Sequence, residues 1–197
     1  MSDEHGNVII QDPPIAQLLF GNTRLAWLWL AVRLYIGYEW LTAGLHKLAD
    51  PGWMEGGQSI LGFWTRAVTV PAQGKGPVSY DWYRAFLQLL IDSGGHPWFA
   101  KLIVFGEIAV GLGLIVGALV GIAAFFGAFM NMSYLLAGTA SVNPLLFAGA
   151  VLLIMAWKTA GWYGLDHLLL PLVGTPWRQP APRQAPTAPT VRPAAAR

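Results

Sequence analysis

The sequence contains no cysteine, and only 11% of its 197 residues are charged. Without cysteine the chain cannot form a disulfide, a thiolate zinc site, a cysteine-ligated iron–sulfur cluster, a c-type haem attachment or a cysteine nucleophile. Soluble globular chains carry about 25% charged residues. The low charge therefore leaves too little polar surface for an ordinary water-soluble domain.

An excess of positive charge is also missing. The chain has 12 lysines and arginines against 10 aspartates and glutamates, a net charge of +2. Proteins that bind nucleic acid neutralise many phosphates with basic side chains. This balance predicts no nucleic-acid partner.

What the sequence does contain is apolar residues, which make up 55% of the chain and give a mean hydropathy of +0.48. At 1.5 Å per residue, a helix of about 20 apolar residues crosses the hydrocarbon core of a membrane. The apolar stretch that begins near Trp98 is too long for one span, so it is divided near Gly117. We predict an all-α fold, an integral membrane four-helix bundle over residues 24–172, with spans at about 25–48, 98–118, 120–139 and 145–160.

The remaining segments differ in composition from the spans. Residues 1–23 form a polar N-terminal arm without the pattern of a signal peptide. Residues 50–97 are rich in tryptophan and tyrosine, which predicts an interfacial cap of short amphipathic helices. Residues 173–197 are rich in Pro, Ala and Arg and predict a disordered tail. We expect a multi-pass protein of the cell (inner) membrane with both termini in the cytoplasm.

Several polar side chains fall inside the predicted spans, where they are costly and indicate function. Measured from Lys47, the outer end of the first span, Glu39 lies about 12 Å deep at helical rise, and Glu107 on the second span is level with it. Asn131 on the third span reaches a similar depth, with Tyr134 one turn above. These positions predict a buried polar cluster in which one glutamate carries a proton or takes Lys47 as its counter-ion.

Helical periodicity places Arg33, Trp40 and Lys47 on one stripe of the first span, and Glu39 and His46 on a second stripe. A ladder of small residues on the second span predicts close helix packing; it comprises Ala109, Gly113, Gly117 and Gly121. The polar cluster predicts a site for a polar-headed lipophilic ligand. The alternative is that Arg33 and a glutamate only pin the bundle.

Residues 38–51 (YEWLTAGLHKLADP), 106–117 (GEIAVGLGLIVG), the Asn143–Pro144 pair and Gly164–Asp166 resemble the DoxX/DoxD-like family of small membrane proteins. The resemblance spans about residues 24–172. The DoxD branch is the small membrane subunit of thiosulfate:quinone oxidoreductase, and other members associate with redox enzymes. Positions that match the family motif are Arg33, Gly44, Lys47, Glu107, Gly111, Asn131 and Asp166.

The resemblance and the polar cluster together lead to two functional hypotheses. The first is a thiosulfate:quinone oxidoreductase-like subunit that passes electrons to quinone, with Glu39, Glu107 and His46 as catalytic residues. Its quinone-binding residues are expected to be Arg33, Lys47, Asn131, Tyr134 and Trp40. No haem, metal or flavin is expected in this chain, and the expected partners are membrane lipid, quinone and other redox subunits. The second hypothesis is a non-catalytic accessory subunit of a respiratory or photosynthetic complex; a transporter is less favoured because no inverted repeat is visible.

Overall fold

The computed structural model describes residues 12–174, and the regular secondary structure of this part of the chain is all helical, as predicted. The predictions for residues 1–11 and 175–197 concern segments outside the described residues. Between them run ten α-helices and one short 3-10 turn at Thr23–Leu25, with no strand in the described range. The helices are α1 Pro14–Gly21, α2 Ala26–Ala49, α3 Pro51–Met54, α4 Gln58–Val68, α5 Asp81–Asp92, α6 His96–Val116, α7 Val120–Leu136, α8 Asn143–Met155, α9 Trp157–Ala160 and α10 Asp166–Leu172.

The four longest helices, α2, α6, α7 and α8, coincide with the four predicted spans and enclose one apolar core. The fourth is shorter than expected. It begins with Pro144 in its first turn, which suits a residue without an N–H donor. It ends at Met155, and the helix is interrupted at Ala156 before α9 begins at Trp157.

Length and hydropathy single out one of these helices. Within residues 12–174, only α6 is both long and apolar enough to cross a membrane, with 21 residues and a mean hydropathy of 2.1. Helices α7 and α8 are apolar but shorter. Helix α2 has 24 residues but includes Arg33, Glu39 and Lys47. A bundle of four spans therefore stays a prediction.

Helices α2 and α6 approach each other closely because glycines lie at their contact. A methyl group added at Gly44 would lie 3.0 Å from the backbone nitrogen of Ile108. One added at Gly111 would lie 2.5 Å from the backbone nitrogen of Leu41. Only a residue without a side chain permits this approach. We call this contact the glycine seam.

The segment predicted as a cap contains the short helices α3, α4 and α5. The last two bury Ile60, Trp64 and Leu87 in a second core, which also includes Ala100 of α6 and Ala137 just after α7. The cap therefore covers the end of the bundle at which α6 begins and α7 ends.

Candidate functional site

A groove lies between α6 and α7 and continues beneath α4 and α5, with a volume of about 1050 Å³. Helix α6 lines it from Phe99 to Gly113, a length of about 21 Å at helical rise. The facing residues of α7 are mainly apolar; they are Ile122, Ala123, Phe126, Phe129, Met130 and Tyr134, with Ser133 beside them. The groove has the shape and chemistry of a site for a long apolar molecule.

The groove also opens at the side of the bundle. Leu102, Phe126 and Phe129 line it, and each is more than half exposed. Phe86 of α5, which is 43% exposed, lies at the same cavity below the cap. A molecule can therefore enter between α6 and α7 from the surroundings of the bundle.

Three polar side chains meet at the cap end of the groove. The Lys47 ammonium donates to Glu107 Oε2 over 2.7 Å, and the Tyr134 hydroxyl donates to Glu107 Oε1 over 2.8 Å. Glu107 is 1% exposed, whereas the Lys47 side chain is 22% exposed. Lys47 and Tyr134 line the groove and Glu107 lies behind them. We call these three residues the head triad.

The local sequence explains how the triad forms. Lys47 lies in the last turn of α2, Glu107 near the middle of α6 and Tyr134 in the last turn of α7. Gly44 lies one turn before Lys47, and its missing side chain leaves room for Glu107, whose Cβ would lie 3.2 Å from an added methyl. The glycine seam thus brings the buried carboxylate within reach of the lysine.

Aromatic rings complete the wall around the triad. The Lys47 ammonium lies 5.3 Å from the centre of the Trp53 ring, a cation–π distance. The Phe63 ring meets Tyr134 edge-on, with centroids 6.3 Å apart. Farther along the cap, Tyr83 donates to the Ser133 carbonyl oxygen over 2.8 Å. Burial raises the pKa of the Tyr83 hydroxyl above its ordinary value.

Trp40 and Asn131, both predicted to bind quinone, lie in the interior but not on the groove. A methyl at Gly127, one turn from Asn131, would lie 3.1 Å from Trp40 Nε1. Neither Trp40 Nε1 nor the Asn131 amide has a hydrogen-bond partner among the described residues. Their contact with a ligand stays a prediction.

Arg33 has a different position from the one expected for a ligand contact. Its buried guanidinium donates to the carbonyl oxygens of Leu114 and Ile115 at the end of α6, and to that of Tyr163 at 2.7 Å. The carbonyls of Leu114 and Ile115 belong to the last turn of α6, where carbonyl groups have no partner within the helix. Arg33 therefore closes the end of α6 opposite the cap and does not line the groove.

Asp166, which the resemblance singled out but no geometric reasoning did, completes this arrangement. Its two carboxylate oxygens accept from the backbone amides of Leu119 and Val120 at the start of α7. Gly117, in the turn between α6 and α7, has φ of +69°, and a methyl there would lie 2.8 Å from the Arg33 guanidinium. Arg33 and Asp166 hold the α6–α7 turn from both sides, and we call this group the turn clamp.

Glu39 and His46 are not brought to Glu107. Glu39 is five residues from Gly44, which turns it about 140° away from the glycine seam. It is half-buried and has no hydrogen bond or ion pair among the described residues, while His46 is exposed. The expected cluster of Glu39, Glu107 and Asn131 is thus replaced by the head triad, because Glu39 is turned away from α6 and because Gly44, not Glu39, lies beside Glu107.

The small-residue ladder of the second span also has another role. Ala109 and Gly113 line the groove, and a methyl added at Gly113 would lie 3.2 Å from the Cβ of Ala123, so the ladder permits close packing with α7. The close contact of α6 with α2 occurs at Gly111. The cap residues that line the groove, such as Trp53, were not predicted as site residues. Only their aromatic density beside a predicted span could have indicated them.

The chemistry available at this site is hydrogen bonding, charge and proton transfer. Residues 12–174 contain no group of three or more His, Asp and Glu side chains arranged to hold a metal. The head triad contains one ammonium, one carboxylate and one phenol, all able to hold or pass a proton. Comparison with protein-family models, with curated proteins and with solved structures yields no match. The resemblance to the DoxX/DoxD-like family therefore stays a prediction.

Proposed function

We propose that the chain is a membrane subunit of a quinone-linked oxidoreductase, similar to thiosulfate:quinone oxidoreductase, and that it binds quinone in the groove. The observation that carries this proposal is the union of an apolar groove with a charged, hydrogen-bonded head triad at one end. A quinone has the same two parts, an apolar tail and a ring with two carbonyl oxygens.

Location in a membrane is supported by the surface of the long helices. Large apolar side chains are exposed along α2, α6 and α7, including Trp27, Leu112 and Phe125, each at 48% or more. Soluble monomers rarely expose apolar surface on this scale. With α2, α6, α7 and α8 as spans, the short helices of the cap lie at one membrane surface and both termini at the other. We assign the terminal side to the cytoplasm of the cell (inner) membrane.

Reduction of a quinone to a quinol takes two electrons and two protons. A donor such as thiosulfate supplies the electrons as it is oxidised, two thiosulfates joining to form tetrathionate. Because the chain has no cysteine, it forms no covalent sulfur intermediate of its own, and the donor is bound noncovalently or by another subunit. The head triad supplies groups that hold protons beside the ring.

One observation favours the second candidate, a non-catalytic accessory subunit of a larger membrane complex. Glu39 lies at mid-length of α2, half-buried and turned away from the groove. A carboxyl group at such depth in a membrane normally faces a partner or a polar cavity. Contact with another subunit at this face would give Glu39 that partner.

The test is to purify the full chain with its native partners in mild detergent and measure reduction of a short-chain benzoquinone by thiosulfate. Glu107→Gln is expected to lower this rate severalfold while the partners still co-purify. Glu39→Gln serves as the matched control and is expected to leave the rate unchanged. If both variants keep the full rate and Glu39→Gln loosens the assembly, the accessory role replaces the catalytic one.

A further inference from the structure

The head triad distributes its hydrogen-bonding groups unequally between the protein and the groove. Glu107 accepts from Lys47 and from Tyr134 and is almost entirely buried, so its carboxylate is occupied. The hydroxyl hydrogen of Tyr134 points to Glu107, which leaves its oxygen as an acceptor. An ammonium has three N–H groups, and Lys47 gives one of them to Glu107.

The surroundings of Lys47 limit where its other two N–H groups point. Trp53 covers one side of the ammonium, with its ring centre 5.3 Å away. The side chain is 22% exposed, and the residue lines the groove. Among the triad residues, Lys47 is therefore the one that has donors to offer to a molecule in the groove.

We infer that Lys47 is the specificity-determining contact of the groove, and that it selects a ligand whose polar end presents an oxygen acceptor. This inference rests on the proposed function, in which that oxygen is a quinone carbonyl. A lipid phosphate presents the same acceptor chemistry. In phosphatidylcholine this phosphate is accompanied by a choline cation, which the Lys47 ammonium repels, so this lipid is disfavoured against an anionic one such as phosphatidylglycerol.

Tyr134 adds a partner for the reduced form of the ligand. A quinone carbonyl accepts from Lys47, and a quinol hydroxyl can donate to the free lone pair of the Tyr134 oxygen. Both states thus find a partner at the same end of the groove. The tail then extends between α6 and α7, away from the cap.

Binding is measured with the full chain in phosphatidylcholine nanodiscs, using a short-chain benzoquinone as the probe. Trp53 and Trp64 line the groove, so quenching of their fluorescence reports occupancy. Lys47→Met is expected to weaken quinone binding about tenfold or more, the effect of losing a hydrogen bond to a charged group. An alkylbenzene with the same tail, measured as a competitor, is expected to bind both proteins equally.

Two further variants guard against a folding defect. In Lys47→Met with Glu107→Gln, no buried charge is left unpaired, and quinone binding should remain weak while the alkylbenzene still binds. Lys47→Arg should restore binding to within about threefold, because a donor and a charge are retained. Lys75→Met, which changes an exposed lysine away from the groove, is the matched control and should have no effect.

The outcomes separate this inference from the proposed function. Quinone binding that is equally strong in Lys47→Met overturns the inference and leaves the proposed function standing. In phosphatidylglycerol nanodiscs, native mass spectrometry counts retained lipid. Lys47-dependent retention of that lipid without quinone binding supports the role of Lys47 and contradicts the proposed function. If the protein binds neither quinone nor phosphatidylglycerol, with or without Lys47, both proposals are wrong.

Discussion

Removal of Lys47 should destabilise the protein through the charge that it leaves behind. In Lys47→Met, the Glu107 carboxylate stays 1% exposed and keeps only the hydroxyl of Tyr134. Breaking a buried ion pair in this way costs about 3–5 kcal/mol. Since Lys47 itself is 22% exposed, part of its attraction is screened, and we expect a loss of about 3 kcal/mol.

Substitution of Glu107, the other member of the pair, should lower the free energy of unfolding by less. In Glu107→Leu, the Lys47 ammonium can turn towards water, so we expect a loss of about 1–2 kcal/mol, mainly from the missing acceptor of Tyr134. With both changes no buried charge remains, and the double variant should lie close to Glu107→Leu. The expected coupling energy between Lys47 and Glu107 is then about 2 kcal/mol or more.

The measurement is unfolding of the full chain in mixed detergent, followed by circular dichroism. The pair formed by Arg84 and Asp81 is the matched control: its atoms are also 2.7 Å apart, but the Asp81 side chain is 94% exposed. Its coupling should be near zero. Additive effects at Lys47 and Glu107, within about 0.5 kcal/mol, would refute the assignment of a buried ion pair.

Three further substitutions test other parts of the structure. Arg33→Met leaves the last carbonyls of α6 without a donor and should cost about 3 kcal/mol or more in unfolding free energy; a loss below about 1 kcal/mol would contradict the turn clamp. Glu39→Gln should change stability by less than about 0.5 kcal/mol in the isolated chain, and a larger loss would mean that Glu39 has an internal partner. Because the pKa of Tyr83 is raised in the folded state, its hydroxyl stabilises the fold below pH about 10, and this contribution is lost as the pH rises further. Tyr83→Phe should remove part of that alkaline loss in thermal melts from pH 8 to 11, and an unchanged pH profile would show that the hydroxyl titrates normally.

The helical class could be predicted from the sequence, because it follows from hydropathy. The predicted common depth of Glu39 and Glu107 was wrong, because Gly44 lies beside Glu107 and Leu41 beside Gly111, which places Glu39 more than one turn away from Glu107 along α6. The direction of each side chain could not be predicted either. Periodicity places Glu39 and Lys47 on separate stripes of α2, but which stripe meets α6 depends on the glycine seam, a contact between residues far apart in the chain. A helical wheel of α2 alone does not show that Gly111 of α6 packs against one of its stripes.

The roles of Arg33 and Asp166 could not be predicted from the sequence for a related reason. Gly117 indicated where α6 ends, and helix ends are known to leave carbonyl and amide groups free. That a guanidinium on α2 and a carboxylate on α10 would fill those two sets of groups depends on the packing of four separate segments. The cap wall of the groove, with Trp53 and Phe63, is equally a product of long-range packing.

The glycine seam also determines which parts of the molecule can move. Since the contact of α2 with α6 at Gly44 and Gly111 leaves no gap, we expect the two helices to move only as one rigid unit, which carries both Lys47 and Glu107. Any breathing that admits a bulky tail must then come from α7 and the cap on the opposite wall. We therefore expect the charged pair to keep its spacing where the cleft beside it widens.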